Sequence, residues 1–210
     1  MLTFPPMSRI ALVSCAAASL AACASSYTGP VEVTRFVAEQ TSALGQGTIT
    51  LTFPEEMENQ SARNAFAAAV ADELSELGYT VILDGSAQAA QVATIRTSRD
   101  PIASAERSRG PVSIGVGGGT GSYGSGVGLG VGINLGGGSK GPRVVTDLAV
   151  RISDSTGQSL WEGRAQQPTS INSPYSDVEA SARILTAALF RDFPGGNGET
   201  ITLNVDQLQD

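Results

Sequence analysis

The stretch "VVTDLAVRISDSTGQSLWEGRA", Val144 to Ala165, constrains the fold of this chain more than any other. Thr146, Leu148, Val150 and Ile152 occupy alternate positions, the period of a strand with one buried face. Asp154-Ser155-Thr156-Gly157 supplies turn chemistry, and Leu160-Trp161-Glu162-Gly163 returns along a second strand. A hairpin of this kind buries its apolar face against another layer. Trp161 on it reads as core or edge packing, not as a ligand platform.

The rest of the chain alternates strand and helix patterns. "VEVTRF" is rich in β-branched residues, and "GTITLTFP" places Ile49, Leu51 and Phe53 on one side before Pro54 stops it. From Ser61 to Leu77 the period becomes helical: Ala62, Ala65, Phe66, Ala69, Val70, Leu74 and Leu77 share a stripe. Asp72, Glu73 and Glu76 fall mostly away from that stripe, and Gly78 suits the left-handed position that ends a helix. "TVIL" and "QVATIRT" read as strands. A second helix is predicted from Ser176, where "SDVE" sets Glu179 three residues after a serine as in a capping box. Val178, Ala182, Leu185, Ala188 and Leu189 form its buried stripe, Pro194-Gly195-Gly196 ends it, and "ETITLNV" is a last strand. This order predicts one α+β domain over residues 31–210, a two-layer sandwich whose largely antiparallel sheet carries two helices on one face.

The chain has 210 residues, enough for one domain with a core that needs no disulfide staples. Its formal charge of −7, with Arg107 and Arg109 the nearest approach to a basic cluster, argues against a nucleic-acid partner, whose phosphates are bound by clustered Lys and Arg. Histidine is absent, which removes the usual general base near neutral pH and the commonest metal ligand. Cys15 and Cys23 are the only cysteines, so everything downstream lacks a thiol for a disulfide, a metal or a nucleophile. The expectation is no metal, no cofactor and no catalytic residue.

The amino-terminal segment explains the cysteines. "MSRIALVSCAAASLAAC" has Arg9, an apolar run from Ile10 to Ala18 and then small residues, the order of an export signal. The run is shorter than the roughly 20 residues a spanning helix needs. "MLTFPP" before Met7 is unusual for such a signal, so translation from Met1 and from Met7 both stay open. Leu20-Ala21-Ala22-Cys23 resembles the bacterial lipobox, in which a leucine and two small residues precede the cysteine that becomes lipidated. The alternative is an ordinary signal peptide cleaved beside a chance cysteine; the box's place at the end of a signal-like segment favours lipidation. Residues 1–22 are then the signal peptide, Cys23 the lipid-attachment site, and 23–30 a lipidated tether to the membrane. Ala24 stands where an aspartate, in enteric lipoproteins, marks inner-membrane retention, so the expected location is the periplasmic face of the outer membrane.

These features together resemble a known family. The lipobox, the early helix ending "ELGY", the hairpin with "DSTG" and "LWEGRA", and the late helix running into "LFRDFPG" are similar to bacterial envelope lipoproteins of the domain-of-unknown-function 4136 family. The resemblance covers most of the mature chain through structural motifs. It implies an envelope location and an α/β sandwich, and it carries over no catalytic residue.

"SIGVGGGTGSYGSGVGLGVGINLGGGSKG", Ser113 to Gly141, has the most unusual composition. Gly119-Thr120-Gly121-Ser122-Tyr123-Gly124 fits G-x-G-x-x-G, yet no strand precedes it, no helix follows and no acidic residue lies about 20 positions on, as a dinucleotide site needs. Gly137-Gly138-Ser139-Lys140-Gly141 fits a nucleophile elbow as loosely, with no histidine to activate Ser139. Gly124, Gly128, Gly132 and Gly136 are spaced as in membrane helices, but Gly126 and Gly130 intervene and the deeper period is two. Val127, Leu129, Val131, Ile133 and Leu135 then line one side of a strand, as do Val112, Ile114 and Val116 before the turn. A glycine-rich β-hairpin over 112–141 is expected, packed on the core through its aliphatic side; a disordered insertion and a membrane- or partner-contacting hairpin are the alternatives.

Glu55-Glu56, Asp72-Glu73 and Asp147 with Arg151 read as solvated faces of amphipathic elements and not as acid pairs. The first functional expectation is a non-enzymatic outer-membrane lipoprotein that acts through protein contacts in envelope structure or assembly. The alternative is an accessory binding module of a lipid or efflux transporter that takes hydrophobic cargo. A cavity between helices and sheet favours the alternative; a filled core favours the first.

Overall fold

A computed structural model of the chain describes residues 26–39, 42–55, 57, 59–83, 89–102 and 142–209. The expected lipobox Leu20-Ala21-Ala22, the expected lipid-attachment site Cys23 and the hairpin expected over 112–141 lie outside the described residues. The strands are β1 (Val31–Val37), β2 (Thr48–Thr52), β3 (Thr80–Ile82), β4 (Gln91–Ile102), β5 (Arg143–Asp154), β6 (Ser159–Ser170) and β7 (Glu199–Leu203). The helices are α1 (Gln60–Glu76) and α2 (Val178–Phe190), with short 3-10 turns at Pro174–Ser176 and Val205–Leu208.

The strands form one seven-stranded sheet in the order β3-β2-β4-β5-β6-β1-β7. β4 with β5, β5 with β6, β6 with β1 and β1 with β7 are antiparallel. β2 instead runs parallel to both β3 and β4, so the sheet is mixed at that edge. The reason is connectivity: a helix between β2 and β3 returns the chain to its starting end, which is how parallel neighbours are joined. The fold is the expected α+β two-layer sandwich with both helices against the sheet.

The hairpin of β5 and β6 forms as its alternation predicts. Thr146, Leu148, Val150 and Ile152 all point into the core. At the turn the Asp154 carboxylate accepts from Thr156 N–H at 2.8 Å, Thr156 Oγ1 at 2.6 Å and Gln158 N–H at 3.0 Å, with Gly157 at φ 87°. The helix–sheet interface is filled: Ile95, Leu148 and Ile152 from the sheet and Leu74, Leu185 and Leu189 from the helices are 0% exposed. Trp161 belongs to this core, its ring 5.3 Å from Phe190 and 5.2 Å from Phe193, and its indole N–H donates to Pro194 O at 2.9 Å. Gly163 makes the room, since a Cβ there would lie 2.3 Å from the Trp161 ring and 2.7 Å from Leu189.

Both helices are capped by side chains, and one cap differs from the sequence expectation. Asn59 accepts from Ala62 N–H ahead of α1, and Gly78 follows it at φ 102° as expected. α2 is capped by Asp177, which accepts from the Glu179 and Ala180 N–H groups, and not by Ser176. Ser176 closes the preceding 3-10 turn through its N–H to Ser173 O at 2.9 Å, and its hydroxyl donates to Ile171 O. The helix therefore starts one residue later, and the Ser176–Glu179 box does not form. α2 also stops at Phe190, ahead of the Pro194-Gly195-Gly196 expected to end it.

Arg35 is the exception in the apolar register of β1. Alternation puts it on the core side with Val31 and Val33, and it is 2% exposed. Its Nε donates to Leu189 O and one Nη to Ala188 O, both at 3.0 Å, so a cation sits on the carbonyl end of α2. Burial lowers its pKa from the ordinary value, against the opposing pull of Glu199 and Asp192.

Candidate interaction site

Three surfaces are left once the core is filled. The first is the sheet end beside the start of the described chain. The segment expected as a tether is fastened to β6: Thr28 bridges Thr169, Gly29 N–H donates to Pro168 O at 2.8 Å, and Ser170 N–H donates to Tyr27 O at 2.8 Å. The Ser170 hydroxyl accepts from Tyr27 N–H at 3.0 Å, and Thr28 and Ser173 hydroxyls meet at 2.6 Å. Buried Gln167 donates to Gly29 O, and the Arg143 guanidinium lies 4.6 Å from the Tyr27 ring centre. A glycine is needed at 29, because a Cβ would come within 2.6 Å of the Pro168 ring. β4 and β5 stay paired to Ile102 and Arg143, so the chain enters and leaves residues 103–142 at this same end.

The second surface is the face of the sheet that carries no helix. Thr34 and Thr200 hydroxyls are 2.9 Å apart, and Thr52 and Thr94 hydroxyls 3.2 Å apart. In the middle, Arg151 pairs with Glu162 at 3.1 Å, and Asp147 accepts from Arg164 at 2.6 Å and Gln166 at 2.7 Å. Asp147 and Arg151 do not pair with each other, because four residues along a strand span about 13 Å while cross-strand neighbours stand about 5 Å apart. Phe36 opposes Glu162 in register and is 43% exposed.

The third is a groove of about 570 Å³ between the two helices. Asp72, Glu73 and Glu76 of α1 face Arg183 and Thr186 of α2 across it. Burial first, then Glu76 and Asp72, raise the Glu73 pKa above the ordinary carboxylate value. Glu73 thus turns partly inward, where the sequence pattern placed it on a solvated face. The Thr186 hydroxyl is buried without a hydrogen-bond partner. No set of three or more His, Cys, Asp or Glu side chains among the described residues converges as metal ligands.

Sequence reasoning missed several buried polar groups in this frame, Arg35 and Gln91 among them. Arg35 was visible only as a charge interrupting an apolar alternation. Gln91, 4% exposed, donates to Ala43 O and Gln46 O and holds the loop before β2, which no local pattern announces. Glu56, Ser139, Lys140, Arg107 and Arg109 lie outside the described residues.

No family model and no curated protein sequence matches the chain. Among solved structures, a PDZ domain protein from Parabacteroides distasonis aligns with TM-score 0.48 and 15% identity over 83% of this chain and 39% of the other, so this chain spans less than half of that protein. A PelC dodecamer from Paraburkholderia phytofirmans aligns with TM-score 0.43 and 12% identity, over 75% of this chain and 93% of the other. Neither likeness bears on activity.

Proposed function

We propose that this chain is a non-enzymatic lipoprotein, anchored through Cys23 to the periplasmic face of the outer membrane, that works by presenting surfaces to another envelope protein. The observation that carries the reading is the fastening of Tyr27–Gly29 to β6, four residues after the lipobox cysteine. A lipid at Cys23 then holds the domain close to the membrane, with its open sheet face available for contact. The resemblance to family 4136 lipoproteins supports the same location.

The interface between helices and sheet, where hydrophobic cargo would be expected, is closed by fully buried side chains among the described residues. The groove outside it mixes Asp72, Glu73 and Glu76 with apolar Ala69, Ile184 and Leu208. A photo-crosslinker at Thr94 or Phe36, on the open face, should capture a discrete protein adduct in intact cells. Co-purification of a hydrophobic ligand with no protein adduct from either position would support the transporter-accessory reading instead.

A further inference from the structure

The structure points to a membrane-facing end of the domain: we propose that the surface formed by Tyr27, Pro142, Arg143 and Ile171 rests on the bilayer. The inference rests on lipidation at Cys23 and adds which surface meets the membrane. Four residue steps from Cys23 to Tyr27 reach at most about 14 Å. The headgroup layer above the hydrocarbon boundary, where a lipidated cysteine sits, takes up roughly 6 Å of that. Tyr27 therefore stands no more than about 8 Å above the headgroups at full stretch. Since Ser170 is bonded to Tyr27 through N–H and hydroxyl, the domain cannot swing this end away without breaking those bonds.

The chemistry of the end suits an interface. Ile171 follows Ser170 directly, donates its N–H to Pro142 O at 3.2 Å, and is 49% exposed. Beside it stands Tyr27, whose amphipathic ring lies under the Arg143 guanidinium, and such rings favour the membrane–water boundary. Exposed apolar side chain, tyrosine and arginine are thus grouped at the one end that the anchor holds down. The opposite end, the turn after Asp154, is separated from it by the 12 residues of β5, about 36 Å along the strand.

The test uses full-length lipidated protein, purified from membranes and reconstituted in phosphatidylethanolamine–phosphatidylglycerol vesicles. Single cysteines replace Ile171 or, at the far turn, Ser155; both positions are exposed, and Asn172→Cys provides a second reporter beside Ile171. Nitroxide labels at 171 and 172 should show a several-fold higher ratio of oxygen to nickel-chelate accessibility than the label at 155. Equal ratios on a protein whose mass includes acyl chains overturn the orientation and leave the lipoprotein reading standing. An unlipidated mass overturns both. Water exposure at 171 in vesicles, with protection from a membrane-impermeant thiol reagent in cells, would assign this end to a protein partner and overturn the proposal.

Discussion

Single residues carry two parts of this account that the apolar pattern conceals. Arg35 fills a core position and donates to backbone carbonyls at the end of α2, so it supports the helix end, while Glu199 and Asp192 favour its charge against burial. Arg35→Met leaves both carbonyls without their donor and should lower stability by roughly 2–4 kcal/mol in denaturant titration. Arg35→Lys should recover only part of this, since an ammonium lacks the fork that reaches both carbonyls. Glu73 makes the opposite contribution. Its carboxyl is harder to ionise folded than unfolded, so wild type loses stability as pH rises from the ordinary carboxylate range through the raised folded value. Glu73→Gln should therefore melt higher than wild type near pH 7, with the difference shrinking towards about pH 4. A Gln variant that melts lower at neutral pH would mean that Glu73 is held by a favourable contact.

Elements were legible where their signals are local and hidden where they depend on packing. The β5–β6 hairpin follows from period-two alternation and the Asp154–Gly157 turn, and α1 from its stripe and Gly78. The start of α2 shows the limit: Ser176 and Asp177 are equally good caps in sequence, and only the 3-10 turn begun at Pro174 decides between them. Asp177→Ala should lower the melting temperature, since it removes the side-chain cap of the first α2 N–H groups. Ser176→Ala removes only its bond to Ile171 O and should cost less in the same melting experiment. Asp177 also has its pKa lowered, chiefly by the Ala180 N–H, so its contribution is present above the unfolded carboxylate value and lost as pH falls through the folded one. The groove between α1 and α2 was not legible, because which carboxylates face it depends on how the helices lie together.

At the scale of the molecule, the sandwich is legible in the chain's patterns, whereas the way the segment after the proposed anchor joins the domain is not. Tyr27-Thr28-Gly29-Pro30 has the composition of a tether, and only the fold reveals that β6 offers it Pro168 O, the Ser170 N–H and hydroxyl, and the Gln167 amide. That fastening turns an anchor into an orientation, and the account depends on the anchor. Intact mass of the mature protein from membranes, beside fractionation of Cys23→Ser, tests it most directly. The account predicts a chain beginning at Cys23 with acyl chains attached, and release of the serine variant into the soluble periplasmic fraction. An unlipidated wild-type mass, with the serine variant still sedimenting with membranes, would contradict it.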